Sequence, residues 1–160
     1  MSSGTNVNLT PLHNGSVCTP NVILKATLKA ASDRLHYCHV NAGSIPPKID
    51  EFRSIFDGTQ LDIVIASETW LKSYHTDKLV ELCGFEAIRC DRYAKKGGGV
   101  ILYIREGLNY KIVKMSDKVS SEFLFIEVIF PDSRILVGAY YKAPGVKELD
   151  VLEDVLLELT

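Results

Sequence analysis

The sequence predicts an α/β fold in which two packed sheets carry helices on their outer faces. Three observations lead to this prediction: an opening β-α-β-α-β order, a later run of closely spaced antiparallel-type strands, and an amphipathic stretch that reaches the last residue. The strands are too numerous and too closely spaced for one doubly wound sheet, so two packed sheets are expected.

The predicted strands are apolar and β-branched segments that lie between turn signals. They are Leu35–Asn41, Leu61–Ala66, Phe85–Arg92, Val100–Ile104, Tyr110–Met115, Glu122–Phe130 and Arg134–Tyr141. In the second of them both faces are apolar beyond Asp62, which is typical of a strand that is covered on both sides. The last two flank a Pro-Asp-Ser turn at 131–133.

Three helices are predicted, each with a recognisable start or stop. A Pro-Pro pair at 46–47 opens the first, because a missing N–H costs little in the first turn of a helix, and Gly58 ends it. The second covers Asp77–Cys83, with Thr76 as its N-cap residue. The third runs from Leu149 to the end of the chain and has apolar residues on one face.

Composition narrows the class of protein. Residues 1–32 are rich in Ser, Thr, Asn, Gly and Pro, so we expect a disordered leader or linker there and one folded unit over 33–160. The 18 Lys+Arg and 20 Asp+Glu residues give a net charge of −2, which excludes a strongly basic nucleic-acid coat but allows one local groove. No apolar run reaches the roughly 18 residues of a membrane span, and no signal-peptide pattern is present.

The cysteines indicate the cellular compartment. Cys18, Cys38, Cys83 and Cys90 form neither a C-x-x-C pair nor a zinc-binding spacing. They are expected to be reduced thiols, which favours an intracellular protein of the nucleus or cytoplasm.

Glu68 is the most informative polar residue. It follows the buried strand directly, in Ala66-Ser67-Glu68-Thr69-Trp70, and α/β folds commonly place working side chains at that end of a strand. A carboxylate there is a candidate Mg²⁺ ligand, because magnesium takes only one or two protein carboxylates besides water and phosphate oxygens. The alternative is an exposed loop acid beside an anchoring Trp70.

Other polar positions have two interpretations each. Asn41 ends the first strand, where its amide either orients a carboxylate or phosphate or forms a turn. The glycines at 97–99 follow two lysines and either bring N–H groups to a phosphate or form a flexible hairpin loop, since their spacing is not that of a P-loop. Tyr140 and Tyr141 point to opposite faces of a strand, so that one reaches a cleft or both pack.

A metal site at the first strand is rejected. His36 and Cys38 share one face of that strand and His39 lies on the other, so the three side chains cannot converge. No Ser-His-Asp or Cys-His arrangement follows from position.

Four short motifs nevertheless occur in a recognisable order. They are VNAGSI with Asn41, SETWL with Glu68, Asp91-Arg92 ahead of GGGV, and YYKAP with Tyr141. In this order the set resembles the endonuclease/exonuclease/phosphatase family, and it is most similar to the apurinic-type endonuclease domain of non-LTR retrotransposons of the jockey and R-element kind. The resemblance covers about residues 35–160.

The resemblance implies a fold, a reaction and roles for three residues. The fold is a four-layer α/β sandwich, two packed mixed sheets with outer helices, of which about the first half is present. The reaction is hydrolysis of a DNA phosphodiester with Mg²⁺ or Mn²⁺. Glu68 matches the metal-binding glutamate, Asn41 the asparagine that orients the site, and Tyr141 the tyrosine near the scissile phosphate. Tyr140 stays open for the last role, because the family's proline usually lies closer to that tyrosine than Pro144 does.

The chain departs from the family after Tyr141. The family's second half carries an Asp-x-Asn motif and a late Asp-His pair, and nothing in residues 142–160 resembles either. We therefore expect little or no nuclease activity from the isolated chain and weak or local contact with DNA. The alternatives are a non-catalytic relic or interaction module derived from a mobile element, and a phosphatase of the same superfamily.

The same shortening bears on stability. Half of a two-sheet sandwich leaves apolar sheet surface and strand edges uncovered, and Phe123–Ile126 is a β-prone stretch without charge. We expect a marginally stable or self-associating fragment.

Overall fold

A computed structural model of the chain describes residues 35–93, 95–116, 121–142 and 150–159. The expected leader at 1–32 lies outside these residues. The elements described are β1 (Tyr37–Asn41), α1 (Ile49–Phe56), β2 (Ile63–Ser67), β3 (Phe85–Cys90), β4 (Val100–Arg105), β5 (Tyr110–Met115), β6 (Glu122–Ile129), β7 (Arg134–Tyr141) and α2 (Asp150–Leu159). Two 3₁₀ turns, Pro46–Lys48 and Asp77–Val80, precede α1 and β3. All seven predicted strands are present.

The first sheet is mixed and has the order β1-β2-β4-β3. β1 and β2 are parallel, so their carboxyl ends meet at one end of the sheet, where Asn41 lies opposite Ser67. The antiparallel β4 begins at the same end, because Val100 also pairs with Ser67. The segments that follow β1 and β2 and the segment that precedes β4 therefore converge.

The second sheet is antiparallel and has the order β5-β6-β7. Glu122 pairs with Tyr141, which brings the start of β6 and the end of β7 together. Phe125 lies opposite Gly138, and a Cβ at residue 138 would stand 2.2 Å from its ring. The ring therefore covers this glycine and fixes the register of the two strands.

Three apolar clusters separate four layers. Phe52 and Phe56 of α1 cover the outer face of the first sheet, and the ring of Phe52 lies 5.9 Å from that of Tyr103. The cluster between the sheets joins alternate residues of β2 and β4 to those of β6: Ile63, Ile65, Val100, Leu102, Ile104, Leu124, Ile126 and Val128. Phe123 and Phe125 point outward from the second sheet and pack against Leu152 of α2. The predicted α/β sandwich of two packed sheets with outer helices is confirmed.

Two finer predictions about burial have clear outcomes. β2 is covered on both faces, because Val64 packs under α1 while Ile65 packs between the sheets, as its sequence predicts. The uncharged stretch Phe123–Ile126 lies in β6, the central strand of its sheet, where all four side chains are buried. Self-association of the chain stays a prediction.

The second predicted helix, Asp77–Cys83, is wrong. The structure has one 3₁₀ turn at Asp77–Val80, and the side chain of Thr76 caps no N–H group. The cause is a competing partner for the backbone, because Arg53 of α1 donates hydrogen bonds to the carbonyl groups of residues 78, 79 and 81. A donor from another element satisfies these carbonyls and so reduces their need for the N–H groups of a continuing helix.

The described residues include no helix that has both the length and the apolar composition to cross a bilayer.

Candidate functional site

The residues after β1 and β2 stay paired beyond the strands, and this fixes the position of Glu68. Ser44 N–H donates to the carbonyl of Glu68 at 2.8 Å, and Trp70 N–H donates to the carbonyl of Gly98 at 3.0 Å. Glu68 and Trp70 have φ values of 55° and 56°, a left-handed conformation that costs a residue with a side chain about 1–3 kcal/mol. The flanking hydrogen bonds hold the chain in this strained path, which turns the carboxylate inward.

The carboxylate of Glu68 accepts hydrogen bonds from three separate segments. The indole Nε1–H of Trp70 and the N–H of Gly98 both donate to Oε2, each at 2.8 Å. The hydroxyl of Tyr141, at the end of β7, donates to Oε1. A carboxylate offers about four lone-pair positions. Within the described residues, both positions on Oε2 are therefore occupied and one position on Oε1 receives no donor.

This set of donors keeps Glu68 ionised. Burial raises the pKa of its carboxyl group, but the hydrogen bonds from Tyr141, Gly98 and Trp70, together with the positive charge of Arg92, outweigh burial and bring the pKa below its ordinary value. For Tyr141, burial and the bond to the anionic Glu68 raise the pKa of the phenol to about 12. At neutral pH the pair is therefore a carboxylate and a neutral phenol.

The glycines at 97–99 form a lid on this carboxylate. All three have φ between 70° and 86°, and Gly98 and Gly99 are buried. A Cβ at Gly99 would lie 2.5 Å from Oγ1 of Thr69, and a Cβ at Gly98 would lie 2.7 Å from the guanidinium of Arg92. The glycines lie in the loop that joins the antiparallel strands β3 and β4, so the hairpin position is as predicted. Close approach of the backbone to Thr69 and Arg92 requires glycine here.

A buried ion pair lies beneath this lid. Arg92 donates to both carboxylate oxygens of Glu122, from Nε at 2.7 Å and from Nη2 at 3.0 Å. The guanidinium carbon of Arg92 also lies 5.3 Å from the ring centroid of Tyr141. The hydrogen bonds to Glu122, followed by its negative charge, raise the pKa of Arg92 against the opposing effect of burial.

The structure separates the two tyrosines. Tyr140 stacks on Phe123 with ring centroids 6.2 Å apart and an angle of 14° between the planes, so it belongs to the outer face of the second sheet. Tyr141 points the other way and reaches Glu68. Of the two, Tyr141 is the one that lies at the candidate site.

Asn41 lies beside Glu68 in the fold, but its side chain serves a turn. Its Oδ1 accepts the N–H of Gly43 at 3.1 Å, and the residue is exposed. Its strand partner is Ser67, which directly precedes Glu68. The turn interpretation of Asn41 is therefore confirmed, and an orienting role for its amide stays a prediction.

A small cavity of about 200 Å³ lies next to the site. It opens between β1, β2, β4 and β7 and is lined by His39, Ile65, Ser67, Val100, Gly138, Ala139 and Tyr140. On its wall, Nε2 of His39 lies 3.0 Å from Oγ of Ser67. Burial lowers the pKa of this imidazole, so its neutral form is favoured.

The donor chemistry of Glu68 fits one divalent cation bound through a single protein oxygen. Among the described residues there is no group of three or more His, Cys, Asp or Glu side chains that could hold a metal ion. Magnesium, however, usually keeps several waters and takes one or two carboxylates together with phosphate oxygens. The ionised Glu68, with its open position on Oε1, meets that requirement as a monodentate ligand.

Two loops beside Glu68 carry positive charge and exposed aromatic rings. Lys72 donates to the carbonyl of Lys95, which ties the loop after β2 to the loop before β4. Lys96 Nζ lies 5.6 Å from the ring centroid of Trp70. Tyr74 and Tyr93, on the same two loops, are 76% and 77% exposed.

Sequence reasoning missed most of the contacts that hold Glu68. The sequence indicates Trp70 only as an anchor beside a loop acid. It does not indicate the pairing of Arg92 with Glu122, because the two residues are 30 positions apart. A usable signal was the run of three glycines directly before a buried strand, since consecutive glycines indicate close backbone approach.

Comparisons with known proteins support the fold. No protein-family model matches the chain, and no curated protein sequence matches it. The structure is similar to that of the AP endonuclease LMAP from Leishmania major, with a TM-score of 0.53 and 20% sequence identity. The similarity covers 73% of this chain and 42% of that one, so the matched part spans less than half the length of that protein. At this level of identity the similarity shows a shared fold.

Proposed function

We propose that the chain is the N-terminal part of a divalent-metal-dependent DNA endonuclease domain of the endonuclease/exonuclease/phosphatase family, of the kind found in non-LTR retrotransposons. The observation that carries the proposal is the ionised Glu68, held at the end of a buried strand by Trp70, Gly98 and Tyr141. The fold shared with an AP endonuclease and the order of the four sequence motifs support it.

Each proposed role follows from a described contact. Mg²⁺ or Mn²⁺ at Glu68 would supply positive charge to a phosphate oxygen. Glu68 stays anionic because its hydrogen bonds and the charge of Arg92 outweigh burial. Tyr141 keeps its proton at neutral pH and fixes Oε1 through its hydroxyl. Asn41, at the neighbouring strand end, offers an amide group on the exposed side of the site.

The lysine- and tyrosine-bearing loops are the proposed contact with DNA. Lys72, Lys95 and Lys96 bring positive charge toward the phosphate backbone, and the exposed rings of Tyr74 and Tyr93 can stack on bases. Because the whole chain has a net charge of −2, the contact is local and weak. Raising the salt concentration is expected to weaken it steeply.

The isolated chain is expected to be a very slow enzyme. A positioned general base contributes about 10²–10⁴ in rate. One preorganised electrostatic group contributes a further 10²–10³, roughly. Residues 142–160 supply neither a histidine nor an asparagine for these tasks. Cleavage by this chain should therefore be slower than by a complete site by about 10⁴–10⁷.

Nicking of supercoiled plasmid tests the proposal. We expect slow nicking in the presence of Mg²⁺ or Mn²⁺ that disappears with EDTA and in Glu68→Ala, and that survives in Glu51→Ala. Glu51 is a suitable control because it is an exposed acid on α1, the outer layer of the first sheet. Nicking that persists in Glu68→Ala would contradict the role of this carboxylate.

A non-catalytic nucleic-acid-binding module is the second candidate. It is favoured by the saturation of Oε2 and by the presence of only one open acceptor position on the carboxylate. DNA binding that depends on Lys95 and Lys96, with no cation-dependent nicking above background, would select this candidate. Faster cleavage of a simple phosphate ester than of DNA would instead select a phosphatase.

We also propose an intracellular location, in the nucleus or cytoplasm. Within the described part of the chain, Cys38, Cys83 and Cys90 are thiols and not disulfides, which supports a reducing compartment.

A further inference from the structure

We propose that Arg92, fixed by Glu122, is a positioning residue that aligns two of the hydrogen-bond donors of Glu68. The inference rests on the proposed function of Glu68 as the metal-binding carboxylate. It assigns a role to the buried ion pair that joins the loop after β3 to the start of β6.

Arg92 is held rigidly. Its two hydrogen bonds to Glu122 form the bidentate arrangement that restricts both rotation and tilt of a guanidinium. The side chains of Arg92 and Glu122 are only 10% and 3% exposed. A buried ion pair of this kind gains little stability over an apolar pair of similar size, because both charges lose their hydration. A role beyond stability would lie in what the guanidinium contacts.

The first such contact is with the peptide of Gly98. An added Cβ at residue 98 would lie 2.7 Å from both Cζ and Nε of Arg92, so the guanidinium packs directly against this backbone. The same residue donates its N–H to Oε2 of Glu68. The position of the guanidinium therefore sets the distance between the Gly98 N–H and Oε2 of Glu68.

The second contact is with the ring of Tyr141. The guanidinium carbon lies 5.3 Å from the ring centroid, within the range of a cation–π interaction. The hydroxyl of that ring donates to Oε1 of Glu68. Each oxygen of Glu68 thus receives one hydrogen bond from a group that packs on Arg92, and the charge of Arg92 also favours the ionised carboxylate.

Nuclear magnetic resonance of the whole, metal-free chain tests this role without any nuclease assay. Trp70 is the only tryptophan, so a single indole N–H resonance reports on the hydrogen bond to Glu68. The variant is the double replacement Arg92→Met with Glu122→Met, which removes both charges and leaves no buried carboxylate unpaired. We expect it to fold, and we expect the exchange of the Trp70 indole and Gly98 amide protons with solvent to accelerate about tenfold or more.

Arg105→Met is the matched control. Arg105 also pairs with a carboxylate, Asp62, and packs on an aromatic ring, Phe85, but it lies at the opposite end of the first sheet. Its loss should leave the two exchange rates at the site unchanged. The proposal is overturned if the double variant keeps the exchange rates of the unmodified chain, or if it loses the fold, because the pair would then serve the fold itself. Failure of plasmid nicking alone would affect only the proposed function.

Discussion

Replacement of Gly99 by alanine tests how closely the glycine lid approaches the strand that carries Glu68. Gly99 has a φ of 86°, and an added Cβ would lie 2.5 Å from Oγ1 of Thr69. Thr69 is completely buried, and its Oγ1 accepts the N–H of Leu71, so its side chain cannot turn away without losing that bond. Gly107 offers a matched control, because it has the same φ of 86° but no atom within 4 Å of the added Cβ.

The two replacements share one energetic cost and differ in another. The left-handed backbone costs alanine about 1–2 kcal/mol at either position. At residue 99 the steric overlap adds about 1–3 kcal/mol, as for other oversized groups in a packed interior. Gly99→Ala should therefore lose about 2–5 kcal/mol of the free energy of unfolding, against about 1–2 kcal/mol for Gly107→Ala.

Urea unfolding followed by Trp70 fluorescence and by circular dichroism measures this difference. With a slope of about 2 kcal/mol per molar urea, the midpoint should fall by roughly 1–2.5 M for Gly99→Ala and by roughly 0.5–1 M for Gly107→Ala. Equal losses in the two variants would refute the close approach at residue 99. A larger loss for Gly107→Ala would refute the assignment of open space around that residue.

Three further outcomes follow from titratable groups. The folded-state pKa of Glu68 is lowered, so its contribution to stability is present above the unfolded-state pKa of about 4.3 and is lost as pH falls through the folded-state pKa. The urea midpoint of the unmodified chain should therefore drop relative to that of Glu68→Gln between about pH 5 and 3. Parallel curves for the two proteins would contradict this. Burial and the bond to Glu68 raise the pKa of Tyr141 to about 12, so ultraviolet titration of the unmodified chain minus Tyr141→Phe should show one phenol that ionises near that pH; a difference centred near 10 would contradict it. Burial raises the pKa of the Cys38 thiol to about 12, so alkylation at pH 8 followed by peptide mass spectrometry should label the exposed Cys83 well before Cys38, and similar labelling rates would count against the burial of Cys38.

The strands were predictable because their signals are local. Alternation of apolar and polar residues depends on neighbours in sequence. Both faces of β2 are apolar, which predicts its burial on both faces. The short helix at Asp77–Cys83 failed because Arg53, more than 20 residues earlier, takes its carbonyl groups. Helix propensity depends only on the residues of the segment itself, so it does not include a hydrogen-bond donor that is distant in sequence.

The candidate site divides in the same way. Glu68 is predictable from its place after a buried strand. Because neighbouring residues of a strand face opposite sides, the sequence also predicts that only one of Tyr140 and Tyr141 can reach the site, but it does not say which. The hydrogen bonds from Gly98 and Tyr141 span 30 and 73 positions of sequence, and no periodicity encodes contacts of that length. The left-handed φ values of Glu68 and Trp70 also follow from these tertiary bonds and not from their residue types.

The most direct test of the central claim, that Glu68 is a ligand of a divalent cation, is a titration of the ¹⁵N-labelled chain with MnCl₂. The paramagnetic ion should broaden the Trp70 indole resonance, whose proton is bonded to the same carboxylate, while the Gly107 amide, just beyond the far end of β4, stays sharp. Glu68→Gln should abolish the broadening, and Glu51→Gln should leave it intact. An indole resonance that stays sharp in the unmodified chain, or one that broadens equally in Glu68→Gln, would contradict the claim.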